Sequence, residues 1–181
     1  GQGIIRQGRD ALQSVSSLPD YPLPEGFHGE LRPYQKIGYN WLHFMREHSL
    51  GACLADDMGL GKTIQTLALL QSLKSQGRLR TSLIVVPLTT MSNWLNEIQR
   101  FTPHIKALAH HGPRRDKEGA RFGDYDIILT SYQTLQRDAQ LFSDYEFYYI
   151  ILDEAQHIKN SLSLTFKMVK TLQSEYRLSL S

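Results

Sequence analysis

Apolar residues recur along the chain in two rhythms. From Pro33 onward Ile37, Trp41, Leu42 and Met45 fall at helical spacing, and a proline suits the first turn of such a helix. A short apolar run, Ala52-Cys53-Leu54-Ala55, then leads through a glycine-rich turn into a second helical stretch, Lys62 to Gln76, closed by Gly77. Between Met91 and Phe101 the residues Trp94, Leu95, Ile98 and Phe101 share one helical face, with Asn93, Glu97 and Arg100 opposite. Thr89 or Thr90 is placed to cap that helix. The other rhythm is a continuous apolar run. Ser82 to Val86, Ile105 to His110, Asp126 to Thr130 and Tyr148 to Leu152 read as strands, and Arg177 to Ser181 as the start of another. Runs that do not alternate belong to strands covered on both faces. Strands separated by helical segments predict an α/β fold, a doubly wound parallel sheet flanked by helices.

Composition narrows this picture. The 181 residues fit one domain, and 41% hydrophobic with 21% charged residues is enough for a core and excludes wholesale disorder. A formal charge of +2 excludes a polycation, so any nucleic-acid binding must come from local placement of charge. One cysteine, Cys53, excludes an internal disulfide framework and a cysteine-based zinc module. It points to a reducing compartment and to a small core residue. No apolar run approaches the ~20 residues that span a bilayer, so no membrane partner is expected. Residues 1–30 differ from the rest: Pro19, Pro22 and Pro24 with Gly26 and Gly29 favour an extended lead-in, either a linker or a strap on the core. The globular domain is expected over residues 31–181. The Gly-Gln-Gly start and Leu-Ser-Leu-Ser end suggest a piece of a longer protein.

The chemistry concentrates in Asp56-Asp57-Met58-Gly59-Leu60-Gly61-Lys62-Thr63, at a strand-to-helix junction. The glycines let the chain wrap tightly, so that successive amide N–H groups from Asp57 to Gly61 can point at phosphate oxygens. The helix that follows presents its positive end to the same anion. Lys62 would reach the β and γ phosphates of ATP, and the Thr63 hydroxyl would ligate Mg²⁺. The full phosphate-loop pattern has glycine where this chain has Asp56. A second element is supplied by Tyr148-Tyr149-Ile150-Ile151-Leu152-Asp153-Glu154: Asp153 would hold Mg²⁺, and Glu154 would orient or deprotonate the attacking water.

These residues sit in a set of blocks: L-R-P-Y-Q (Leu31 to Gln35), D-D-M-G-L-G-K-T, V-V-P-L-T-T-M-S-N-W (Val85 to Trp94), L-T-S-Y (Leu129 to Tyr132) and D-E-A-Q-H-I-K-N (Asp153 to Asn160). In content and order they resemble the Swi/Snf family of superfamily-two, helicase-like ATPases, over residues 31 to 181. The D-E-A-Q wording resembles bacterial members, which implies a cytoplasmic, nucleoid-associated protein, or a nuclear one in a eukaryote. The resemblance implies a P-loop, RecA-like fold for this single lobe, and a second RecA-like lobe in the parent chain that brings arginine fingers. It implies an ATPase that translocates on double-stranded DNA, with the protein target undetermined. It also implies that Gln35 reads the adenine edge, that Gln156 links the metal site to the DNA-sensing side, and that Thr89, Thr90, Thr130 and Ser131 lie at the DNA backbone. Without the second lobe, this chain is expected to bind Mg-ATP weakly and hydrolyse it hardly at all.

Other residues carry plainer readings. His110 and His111 are adjacent, so a strand points them to opposite faces and they make a poor metal pair. Trp94 reads as core. The aromatics from Tyr145 to Tyr149 read as packing at the entry of their strand. Arg78 with Arg80, and Arg114 with Arg115 and Lys117, are either solvated loop charge or phosphate contacts. The rival functions are an RNA helicase of the same superfamily, disfavoured by P-L-T-T-M-S-N-W, and a nucleotide-switched interaction module, disfavoured by Lys62 with Glu154. A nucleotide kinase is more distant, since no basic lid segment is visible.

Overall fold

The computed structural model describes residues 18–48, 52–54 (main chain only), 61–155 and 164–180. Its helices are α1 (Pro33–Glu47), α2 (Lys62–Ser75), α3 (Met91–Phe101), α4 (Tyr132–Arg137), α5 (Ala139–Asp144) and α6 (Leu164–Thr171). Its strands are β1 (Ala52–Leu54), β2 (Ser82–Val86), β3 (Ala107–Ala109), β4 (Ile127–Ser131), β5 (Glu146–Leu152) and β6 (Gln173–Leu180). The strands form one sheet in the order β1-β6-β5-β2-β4-β3, every pairing parallel. The expected doubly wound architecture is present.

The sheet is dry on both faces, as its unalternating strands require. On one face Ile84 and Val86 of β2, Ile127 and Leu129 of β4, and Ile151 of β5 pack against Trp41, Leu70 and Trp94 of α1, α2 and α3. On the other, Leu83, Val85, Ile128 and Ile150 meet Leu135, Phe142 and Met168 of α4, α5 and α6. Burying side chains of this size stabilises by roughly 1.5–3 kcal/mol each, set against the entropy of ordering the chain.

The structure adjusts several boundaries. Strand β6 begins four residues before the expected Arg177, because its first half alternates exposed and half-buried residues and carries no apolar run. Strand β3 is only three residues long, and Ile105 leaves it to pack beneath α3. The short helices α4 and α5 escape sequence reading because each buries few side chains: Thr134 and Leu135 in α4, and Phe142 in α5. Thr90 occupies the N-cap of α3 without capping it: its hydroxyl donates back to Pro87 O at 3.0 Å.

Residues 18–30 form a strap over α1, α2 and α3. Tyr21 N–H donates to Asn40 Oδ1 at 2.9 Å, Tyr39 Oη–H to Pro22 O at 3.0 Å, and Gln71 Nε2–H to Glu25 O at 3.0 Å. His28 N–H reaches Phe101 O at 2.8 Å. The proline-rich composition suits this role, since an extended segment needs outside partners for its polar groups. The strap therefore braces the helices that carry the site.

Candidate active site

In a parallel sheet all strands end at the same edge, and loops there collect ligands. Here that edge gathers the start of α2, the turn Leu88–Thr90 after β2, the β4–α4 junction, and Asp153-Glu154 after β5. Strand β6 lies between β1 and β5, so the strand before α2 and the strand before the acidic pair are separated by a single strand.

Gly61 is the N-cap of α2 and adopts a left-handed conformation, φ 88°. A Cβ there would fall on Gln35 Nε2, with Gln35 Cδ only 3.0 Å away. Gln35 is thus laid directly against Gly61. It is nearly buried, and its Oε1 accepts Arg32 N–H at 2.9 Å, which fixes the amide and turns Nε2 toward Gly61. One turn further along both helices the approach repeats: a side chain at Gly38 would strike Gln65 Oε1. Two glycines therefore let α1 and α2 close up and bring Gln35 to the N-terminal end of α2. Asp57, Met58, Gly59 and Leu60, and also Gln156, lie outside the described residues.

Lys62 and Thr63 open α2, half-buried at its positive end. Across from them stands Asp153. Its carboxyl is pushed up from the ordinary carboxylate range, chiefly by burial, while the indole of Trp94 and the charge of Lys62 draw it back down. Trp94 Nε1–H donates to Asp153 Oδ2 at 2.8 Å. The Asp153 main chain is held as well: its N–H donates to Val85 O at 2.8 Å, and its O accepts Tyr132 Oη–H at 2.6 Å. Burial, with Asp153 and Glu154 close by, pushes the Tyr132 phenol well up, so it stays a donor. Among the described residues Glu154 is the one non-glycine with positive φ, 50°. Such a conformation costs a side-chain-bearing residue about 1–2 kcal/mol, and strain of this kind collects at functional positions.

The residues assigned to the DNA backbone divide. Thr89 is exposed, and Thr90 half-exposed, on the turn Leu88–Thr90. Thr130 and Ser131 are placed differently from Thr89 and Thr90. Thr130 is fully buried with its hydroxyl donating to His110 O at 2.9 Å, while Ser131 caps α4 by accepting Thr134 N–H at 3.1 Å. Both hydroxyls are bonded inside the lobe.

The basic cluster after β3 also divides. Arg115 Nε–H donates to Asp138 Oδ2 at 2.7 Å, and His110 Nε2 lies 2.7 Å from the same oxygen. Arg115, ahead of His110, holds the Asp138 carboxyl below its ordinary range. Lys117 and Arg137 line a groove of about 510 Å³ that opens at the same sheet edge. His110 is buried and His111 exposed, so they do not act together, and among the described residues no cluster of metal-ligating side chains occurs. No helix among them is long and apolar enough to cross a membrane.

Sequence reading missed Trp94 and Tyr132 as parts of the site. Each ends a quoted block (S-N-W and T-S-Y), but nothing in either block shows which residue it will touch.

Residues 34–181 match the family model of the SNF2-related domain. The Bacillus subtilis helicase/translocase-type protein YwqA is 42% identical over 174 residues, 94% of this chain and 19% of YwqA. A human SWI/SNF-related regulator of chromatin, of subfamily A containing DEAD/H box 1, is 38% identical over 160 residues, 83% of this chain and 16% of that protein. Among solved structures, the Sulfolobus solfataricus SWI2/SNF2 ATPase core in complex with double-stranded DNA superposes with a TM-score of 0.81 at 43% identity. That match covers 89% of this chain and 34% of the Sulfolobus chain.

Proposed function

The chain belongs to the Swi/Snf family, and on that premise we propose that this sheet edge is half of an ATP-hydrolysing site that drives movement along double-stranded DNA. The observation that carries the reading is the facing of Lys62 and Thr63 at the start of α2 by Asp153 and Glu154, with Gln35 laid against Gly61. The Gln35 amide keeps Nε2–H for the adenine edge while Arg32 orients its oxygen. Lys62 and the first amides of α2 bind the phosphates. Thr63 and Asp153, a hydroxyl and a carboxylate, are oxygen donors of the kind Mg²⁺ takes, and the dry setting of Asp153 favours a cation beside it. When bound there, Mg²⁺ neutralises negative charge on the phosphate oxygens. Glu154 aligns the attacking water and takes its proton.

The duplex partner is supported by the Sulfolobus core, which was solved on double-stranded DNA. Thr89 and Thr90, with Lys117 and Arg137 in the nearby groove, suit phosphate oxygens and carry no sequence preference. The chain spans about a third of the Sulfolobus core. In the intact parent a second lobe would add arginines worth roughly 10³–10⁵ in rate, so the 181 residues alone should turn over ATP slowly.

Lys62→Ala and Glu154→Gln in the intact parent chain test these roles. Nucleotide affinity should collapse in the first and persist in the second, with turnover lost in both. Equal loss of affinity in the two would overturn the role given to Glu154.

A further inference from the structure

Asp153 is held by bonds that do different work. Its N–H is tied to Val85 O of β2 at 2.8 Å, and its carbonyl to Tyr132 Oη at 2.6 Å, so its main chain is fixed by the sheet and by the start of α4. Neither bond sets the direction of the carboxylate. The carboxylate is directed by the 2.8 Å bond from Trp94 Nε1–H to Oδ2 and by the backbone N–H of Glu154; Trp94 is the one side chain of the two. The indole is 1% exposed and cannot swing away, because its ring is packed into the core shared by α3, β2 and β5. A side chain recruited only to fill space there has no need of an N–H, and a buried N–H needs a partner. Here that partner is the acid of the proposed site.

We infer that Trp94 is a positioning residue for ATP hydrolysis, holding one oxygen of Asp153 so that the other is presented to a divalent cation. The inference rests on reading Asp153 as the metal-holding acid. Groups that orient a metal ligand in this way change metal affinity by about 10–100-fold when removed.

The test uses the intact parent chain with Trp94→Phe, Trp94→His and Asp153→Asn. Phenylalanine keeps an apolar ring and loses the donor. Histidine keeps a ring N–H, which can fall where the indole Nε1 lay, and loses packing. Binding of Mn²⁺ is measured by electron paramagnetic resonance with a non-hydrolysable ATP analogue present, and ATP turnover is titrated with Mg²⁺. Trp94→Phe should raise the Mn²⁺ Kd and the Mg²⁺ midpoint about tenfold, with KM for ATP at saturating Mg²⁺ nearly unchanged. Trp94→His should stay near wild type in both.

If both Trp94 variants only lower the melting temperature and leave Mn²⁺ affinity alone, Trp94 is core and the inference is overturned. Should Trp94→Phe fail to fold, Trp94→Leu, which also lacks the donor, takes its place: weakened Mn²⁺ affinity supports the inference, and wild-type affinity refutes it. Asp153→Asn separates the two readings. If it binds Mn²⁺ as wild type does, Asp153 is not the metal acid and both fall. If it loses Mn²⁺ while Trp94→Phe does not, only the role of Trp94 falls.

Discussion

Replacing Gly61 by alanine asks two things of the fold at once. The residue sits at φ 88°, where a Cβ costs about 1–2 kcal/mol. The new methyl would also land on Gln35 Nε2, with Cδ at 3.0 Å and Cγ at 3.1 Å. Gln35 is 9% exposed and has little room to retreat, so it must give up the 2.9 Å bond from Arg32 N–H, worth about 1 kcal/mol. Gly61→Ala should therefore cost roughly 2–3 kcal/mol, a fall in Tm on the order of 4–12 °C for a chain of this size. The second part depends on the glutamine. In a Gln35→Ala background Gly61→Ala should cost only the backbone share, so a double-mutant cycle should show a coupling of about 1 kcal/mol. Urea denaturation of the four chains gives that coupling directly. Strict additivity would show that Gln35 does not rest on Gly61, and the adenine-side geometry proposed from that contact would fall with it.

Two further predictions concern stability. His43 is buried between Tyr21 and Tyr39, with ring centroids 4.6 and 4.7 Å away, and burial lowers its pKa to about 4. The unfolded chain takes up that proton first as pH falls, so this stabilisation is whole above about pH 6.5. Roughly 3 kcal/mol is lost on descending to about pH 4. Because His43 Nε2 has no hydrogen-bond partner, His43→Phe should flatten this slope at little cost at neutral pH. Melts at pH 7.5 and 4.5 check it, and an unchanged slope contradicts it. Asp138→Ala frees Arg115 and His110 together and should cost about 2–3 kcal/mol. It should also speed amide exchange in the loop from Gly112 to Lys117, and a loop that stays equally protected would refute this account.

How far the sequence could be read depends on how local each signal is. Ser82 to Val86 is a strand at the boundaries its apolar run indicates, because five consecutive buried residues leave no choice of face. The start of α2 at Lys62 and the end of β5 before Asp153 are legible for a similar reason, each being marked by a short local string. The bond from Trp94 to Asp153 was not legible. It spans 59 residues and exists because β5 pairs with β2, and strand order is not written in periodicity. The insertion of β6 between β1 and β5 is hidden likewise, since its first half carries no apolar run and only Tyr176, stacked on Tyr149, packs there. The internal bonds of Thr130 and Ser131 were not legible either, because a hydroxyl at a strand end suits a phosphate or its own fold equally well.

If this edge serves ATP hydrolysis driven by duplex DNA, ATP turnover by the intact parent chain must respond to the duplex. Turnover should rise when double-stranded DNA is added, fall steeply as salt is raised, and vanish in Glu154→Gln. Stimulation by single-stranded RNA but not by duplex DNA, or turnover that survives the loss of Glu154, would contradict it.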